Sequence, residues 1–229
     1  KDIPLVVPEA NPEALENHNG IIANPNCSTI QVMPILKVLH EKYGLKRVIY
    51  STYQAVAGSG QKGIDDLEAN LKGESSKGYP HQIAFNLIPH IDAFLDNGYT
   101  KEEIKMIEET RKILGKPDLK VTATCVRVPV KMGHAVSINV ELENSFKLED
   151  VIKAFEEKEG VIVRDDVKNN IYPMPIEAED TDEVYVGRIR RDESIDNGLN
   201  LWVVADNIRK GAATNTIQIA ETLIKKGVL

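Results

Sequence analysis

The 229-residue sequence predicts an α+β fold: a mixed, largely antiparallel sheet with helices on one face. Three observations carry this. Strand-like and helix-like segments mix without strict βαβ alternation. Strand segments 184–191 and 199–205 flank Asp196-Asn197-Gly198, the residue chemistry of a hairpin turn. Segments 119–130 and 135–142 lie either side of the short Lys131-Met132-Gly133-His134 link. A composition of 42% hydrophobic and 28% charged residues suffices for a core. No run approaches the roughly 18 apolar residues of a membrane span, and no charged-then-apolar leader is visible. The formal net charge of −7, with basic residues scattered, argues against a general nucleic-acid binder. Cys27 and Cys125 are too few for a disulfide scaffold or a cysteine-based zinc site, so a reducing cytoplasm is the expected compartment. The chain begins at Lys1 and reads as a piece of something longer.

Residues 1–24 read as a tail entering from elsewhere. Two prolines keep Ile3 to Pro8 extended. Asn11 to Leu15 opens a short turn, and Gly20 to Ala23 suits a short strand. Asn24 to Thr29 is a turn. Ile30, Met33, Leu36 and Leu39 then recur at helical spacing up to Gly44, with Pro34 expected to kink the helix or disturb its first turns. Leu45 to Tyr53 is β-branched and aromatic, hence a strand. Gly58 and Gly60 break it, and Asp65 to Leu71 is helix-like. Residues 73–98 form a long excursion rich in Gly, Pro and Ser. Thr100 and Glu103 spell a capping box for a helix running to about Leu114. Leu148 to Lys158 is an amphipathic helix, and residues 212–226 make the last one.

Cys27 stands at a turn entering a helix, where free N–H groups favour an anion, so its thiol is expected to titrate low. The plain alternative is a small buried hydrophobe. Cys125 lies mid-strand and suits packing. Arg127 shares its face, two residues on. An unpaired buried Arg is costly, so Arg127 either forms an ordinary salt bridge or faces a pocket. His134, in the link between two strands, competes with four other histidines for any catalytic role. Gly58 to Gly63 spells GxGxxG, but Gln54 to Ala57 separate it from the strand and no acid follows on the next one. It is a loop whose amides approach a ligand, not a dinucleotide fingerprint. Glu102 and Lys105 are spaced as a solvated i,i+3 pair.

Taken together, four motifs in order resemble aspartate-semialdehyde dehydrogenases. Asn24-Pro25-Asn26-Cys27-Ser28-Thr29-Ile30-Gln31 resembles the nucleophile motif. Ser51 to Val56 resembles the strand with the substrate glutamine. Cys125 to Val130, with His134 beyond, resembles the substrate-arginine and catalytic-histidine segment. Lys210 to Asn215 resembles the start of the last helix. The resemblance implies the catalytic and dimerisation domain of the glyceraldehyde-3-phosphate-dehydrogenase-like type. Residues 1–24 would end a missing Rossmann domain, 25–207 would form the catalytic and dimerisation domain, and 208–229 the helix packing back on the Rossmann domain. It implies a cytoplasmic homodimer or homotetramer without metal, acting on a small-molecule substrate. That activity is NADPH-dependent reduction of aspartyl phosphate to the semialdehyde, on the lysine, threonine and methionine branch of amino-acid biosynthesis. By the same resemblance Cys27 is the nucleophile that forms a thioester, His134 the acid/base and Gln54 the substrate-orienting group. Arg127 clamps the α-carboxylate, Glu102 meets the α-ammonium and Lys105 the phosphate, with Asn26 also in the substrate site. Ala57, Gly58 and Asn207 would touch NADP, Ala57 standing where many members carry Ser. N-acetyl-γ-glutamyl-phosphate reductase shares this chemistry but usually has Gly before its cysteine and an aromatic after it, where this chain has Asn26 and Ser28. Glyceraldehyde-3-phosphate dehydrogenase has a different cysteine context. A non-enzymatic alternative is an inactive part that only dimerises.

Overall fold

A computed structural model describes residues 3–228; Lys1, Asp2 and Leu229, which belong to the expected terminal segments, lie outside the described residues. Six strands form one sheet: β1 (Leu45–Gln54), β2 (Lys120–Arg127), β3 (His134–Leu142), β4 (Val161–Val163), β5 (Val184–Asp192) and β6 (Gly198–Ala205). Their order is β2-β1-β3-β6-β5-β4. The three central pairings are antiparallel, and the outer pairs β1/β2 and β4/β5 are parallel. The β5–β6 hairpin forms with Asp192 opposite Gly198. Although only a short link separates them, β2 and β3 do not pair; β1 lies between them. The link must therefore cross the end of β1, and the functional residues gather there.

Helix α1 (Cys27–Tyr43) begins three residues before its apolar pattern does, because Asn26 caps it: the Asn26 side chain accepts the Ser28 N–H at 2.9 Å. It runs unbroken through Pro34. Buried residues line it from Ser28 to Leu39, so packing on all sides outweighs one lost backbone bond. Helix α2 (Gln61–Leu71) follows a 3-10 turn at Val56–Ser59. Helix α3 (Lys101–Ile113) carries both halves of the capping box expected at Thr100 and Glu103. Helices α1, α3 and α4 (Leu148–Glu156) share one core with the sheet face that presents Tyr50, Val136, Ile138, Leu201 and Val203. The other face is half-covered: Tyr53, Tyr185 and Trp202 pack around Ala135, Val204 and Ala178 of the short helix α5 (Pro175–Ala178).

The N-terminal segment does not stand apart. Leu5 bridges Ala23, and Val6 and Leu15 pack on Ile219 and Leu223 of helix α6 (Asn215–Lys226). The two terminal segments thus form one small layer beside the entry to α1.

Candidate active site

Strands β1 and β2 end, and antiparallel β3 begins, at the same sheet edge, with Gln54 opposite Arg127. Gln54, Arg127 and His134 are buried on the face covered by α1, whose first residue is Cys27. This is the parity expected for Cys125 and Arg127; Cys125 is sealed in the core.

Glu102 is the hub. Its Oε1 accepts from Asn26 Nδ2 at 2.8 Å and from Gln54 Nε2 at 3.0 Å, and its Oε2 lies 3.4 Å from Lys105 Nζ. Three donors offset the burial of its charge. Lys105 is nearly half exposed and is also held by Asp92 at 3.1 Å. Asn26, besides capping α1, donates its backbone N–H to Glu109 Oε2 at 2.9 Å. The bond network therefore runs from α3 to Asn26, the residue before Cys27.

The Ala55 peptide organises the other side. Arg127 Nη1 donates to the Ala55 carbonyl at 2.7 Å, and the Ala55 N–H donates to His134 Nδ1 at 3.0 Å. An N–H donor at Nδ1 places the ring proton of the neutral imidazole on Nε2. Burial, and then the charge of Arg127, push the His134 pKa down to about 3, so the ring is neutral. Gln31, one helical turn beyond Cys27, donates to the His134 carbonyl at 3.3 Å. His134 Nε2, Arg127 Nε and Asn207 Nδ2 are buried donors without a protein partner. Such a cluster is costly unless a ligand supplies acceptors.

The thiol departs from expectation. Burial, and next the Glu102 carboxylate, push Cys27 up to about 11; Ser28 and Arg127 pull the other way and lose. Position at a helix N-terminus does not lower this thiol: Cys27 keeps part of its surface exposed, but desolvation and the Glu102 carboxylate outweigh the Arg127 charge.

Two glycines shape the walls. A Cβ on Gly58 would lie 2.9 Å from Arg127 Nη1 and 3.2 Å from His134 Nε2. A Cβ on Gly211 would lie 2.9 Å from the Cys27 Cβ. Asn207 Oδ1 accepts the Gly133 N–H at 2.9 Å, tying it to the residue before His134. Ala57 is buried, its N–H bonded to the Lys131 carbonyl at 3.1 Å. The sequence GxGxxG at Gly58–Gly63 spans the 3-10 turn and the start of α2 rather than a direct strand-to-helix turn.

Residues 36–210 match the family model described as semialdehyde dehydrogenase, dimerisation domain. The aspartate-semialdehyde dehydrogenase of Aquifex aeolicus is 54% identical over 237 residues, covering 100% of this chain and 70% of that protein. The chain belongs to the aspartate-semialdehyde dehydrogenase family. The Bacillus subtilis aspartate-semialdehyde dehydrogenase is 48% identical, covering 98% of this chain and 69% of the relative. Aspartate semialdehyde dehydrogenase II of Vibrio cholerae, solved in complex with ASA, superposes with a TM-score of 0.93 at 48% identity, covering 98% of this chain and 68% of that one. The Candida albicans aspartate semialdehyde dehydrogenase solved with NADP superposes with a TM-score of 0.78 at 30% identity, over 100% of this chain and 68% of that one.

Within this dehydrogenase fold, two features suit a nicotinamide cofactor. Asn207 offers an unspent amide N–H, and Gly58 keeps a side chain out of the space beside His134. Glu109 and Gln31 escaped the sequence reading. Glu109 lies two helical turns from Glu102, and Gln31 one turn from Cys27; same-face spacing was the available signal.

Proposed function

We propose that this chain carries the catalytic and dimerisation part of an NADP-dependent aspartate-semialdehyde dehydrogenase. It acts in reduction of aspartyl phosphate to the semialdehyde and phosphate, on the lysine, threonine and methionine branch, in the cytoplasm and as a homodimer or homotetramer. The observation that carries this is the cluster of buried, unpartnered donors beside Cys27, with the Glu102 carboxylate opposite.

Cys27 attacks the acyl-phosphate carbonyl; the carbon–sulfur bond forms as the carbon–oxygen bond to phosphate breaks, and the thiol proton leaves with the departing phosphate, giving a thioester. NADPH, when bound, supplies the hydride that reduces the acyl group. Cys27 then leaves a thiohemiacetal, releasing aldehyde; sulfur suits this because it both attacks and departs well. His134 serves as the acid/base group, meeting the reacting oxygen through its Nε2. Arg127, with an unspent Nε–H, receives the substrate carboxylate. Glu102 takes the substrate ammonium and Lys105 the phosphate, while Gln54 and Asn26 hold Glu102 in place. Asn207, Gly58 and Ala57 line the cofactor side.

The domain division is part of the proposal. Residues 1–24 and 208–229 would face a nucleotide-binding domain, supported by the exposed Ile21, Ile217 and Ile224 on that layer. The test is aldehyde oxidation with phosphate and NADP, run on this chain and on a polypeptide carrying it behind a nucleotide-binding domain. The longer protein is expected to turn over and its Cys27→Ala variant to be dead with the fold intact. Appreciable residual turnover by Cys27→Ala would remove the nucleophile assignment, and turnover by neither parent protein would favour a module that only dimerises.

A further inference from the structure

Between β6 and α6 the backbone forms a π-helical turn, Arg209–Thr214. The Gly211 N–H reaches the Asp206 carbonyl at 2.9 Å and the Ala213 N–H the Ile208 carbonyl at 3.0 Å, each spanning five residues. Such turns persist where their surroundings impose them, and they gather at functional sites. Here one anchor is local: the Asp206 carboxylate accepts the N–H groups of Ile208 and Arg209 at 2.7 and 2.8 Å. The other is remote. Lys210 is 1% exposed, and its ammonium donates to the Glu9 carboxylate and to Gln218 Oε1 at 2.8 Å. Gln218 Nε2 closes the cluster on Glu9 at 2.9 Å. A lysine is almost never so deeply buried unless paired.

The residue after this lysine is Gly211, in contact with Cys27: its missing Cβ would come 2.9 Å from the Cys27 Cβ and 3.3 Å from the Cα. The same turn is sewn to the segment leading into Cys27. Asn24 donates to the Ala212 carbonyl at 3.4 Å and accepts from Asn215 Nδ2 at 2.7 Å. We propose that Lys210 is a positioning residue for Cys27: its buried ion pair with Glu9 holds the π-turn so that the Gly211 backbone forms the wall behind the nucleophile. Without the pair the turn relaxes toward the ordinary helical repeat, which carries one residue fewer per bonded loop, and Gly211 withdraws from the sulfur-bearing residue. The proposal rests on Cys27 being the nucleophile.

The chain contains its own control. Cys125 is sealed in the core, so a variant that merely unfolds exposes both thiols, whereas a displaced wall affects Cys27 alone. Alkylation by iodoacetamide, mapped to each cysteine by peptide mass and followed against pH, reads both. Lys210→Met should raise the Cys27 rate about fivefold or more and alter its pH profile, with Cys125 still unreactive. Glu9→Gln, which keeps an acceptor for the ammonium, should move Cys27 the same way by less, and serves if Lys210→Met folds poorly. A Cys27 rate within about twofold of the parent in a folded variant would overturn the proposal, as would equal acceleration at both cysteines. Acylation of the parent chain by aspartyl phosphate reports separately on the nucleophile assignment, so the two readings fail independently.

Discussion

Gly58→Ala is the smallest change that should disable the site without replacing a reacting group. The new methyl would stand 2.9 Å from Arg127 Nη1 and 3.2 Å from both Cε1 and Nε2 of His134. Gly58 is not in the left-handed region, so the backbone accepts alanine and the whole effect is steric. Arg127 has no free direction, because Nη1 is already bonded to the Ala55 carbonyl at 2.7 Å and the side chain is buried. Giving up that charge-assisted bond costs about 1.5–3 kcal/mol. Converted at about 1.4 kcal/mol per decade, this is a loss of roughly 10- to 150-fold in kcat/KM. The assay is phosphate-dependent aldehyde oxidation, in a polypeptide carrying a nucleotide-binding domain ahead of this chain. Gly60→Ala is the contrast: nothing lies near its added Cβ, but its φ of +74° with ψ of −169° is a region essentially reserved for glycine, so it should lose about 1–3 kcal/mol of stability and keep its activity. Retention of kcat/KM within about twofold by Gly58→Ala would refute the claim that this glycine clears space for Arg127 and His134.

Other outcomes follow from the charges. The Cys27 thiol, held up to about 11 by burial and then Glu102, should alkylate about tenfold faster per pH unit from neutrality to about pH 10, and Glu102→Gln should move that profile to lower pH. A plateau near pH 8 in the parent chain would contradict the assignment of causes. His134 should make the fold acid-sensitive. Its ring titrates near 6.5 when unfolded and at about 3 when folded, through burial and then Arg127. Between those values the unfolded chain binds the extra proton, so the stability supplied by the neutral ring is present above pH 6.5 and lost as pH falls toward 3. The slope is at most about 1.4 kcal/mol per pH unit. Denaturant titrations of His134→Gln should show a flatter dependence in that window; an unchanged slope would remove His134 as its source.

Much of this architecture is legible in local sequence. The helix α3 cap is written in Thr100 and Glu103, the β5–β6 hairpin in Asp196-Asn197-Gly198, and the long core helix in Ile30, Met33, Leu36 and Leu39. What local pattern does not carry is long-range. Nothing between Leu119 and Leu142 announces that β1 separates β2 from β3, yet that insertion brings Gln54, Arg127 and His134 to one edge. β4 has only three residues, too few to show alternation. The π-turn depends on Glu9, 201 positions from Lys210. The raised thiol is hidden from local sequence for a related reason. The helix terminus beside Cys27 is visible in sequence, but the approach of Glu102 from another helix is not.

The most direct test of the account is to look for the acyl group on sulfur. This chain, folded and without NADP, is incubated with aspartyl phosphate, quenched in acid and digested for peptide mass mapping. One aspartyl group on the Cys27 peptide, removable by hydroxylamine and absent from Cys27→Ala, is the predicted result. An unmodified Cys27 in the folded chain, or an adduct that persists in Cys27→Ala, would contradict it.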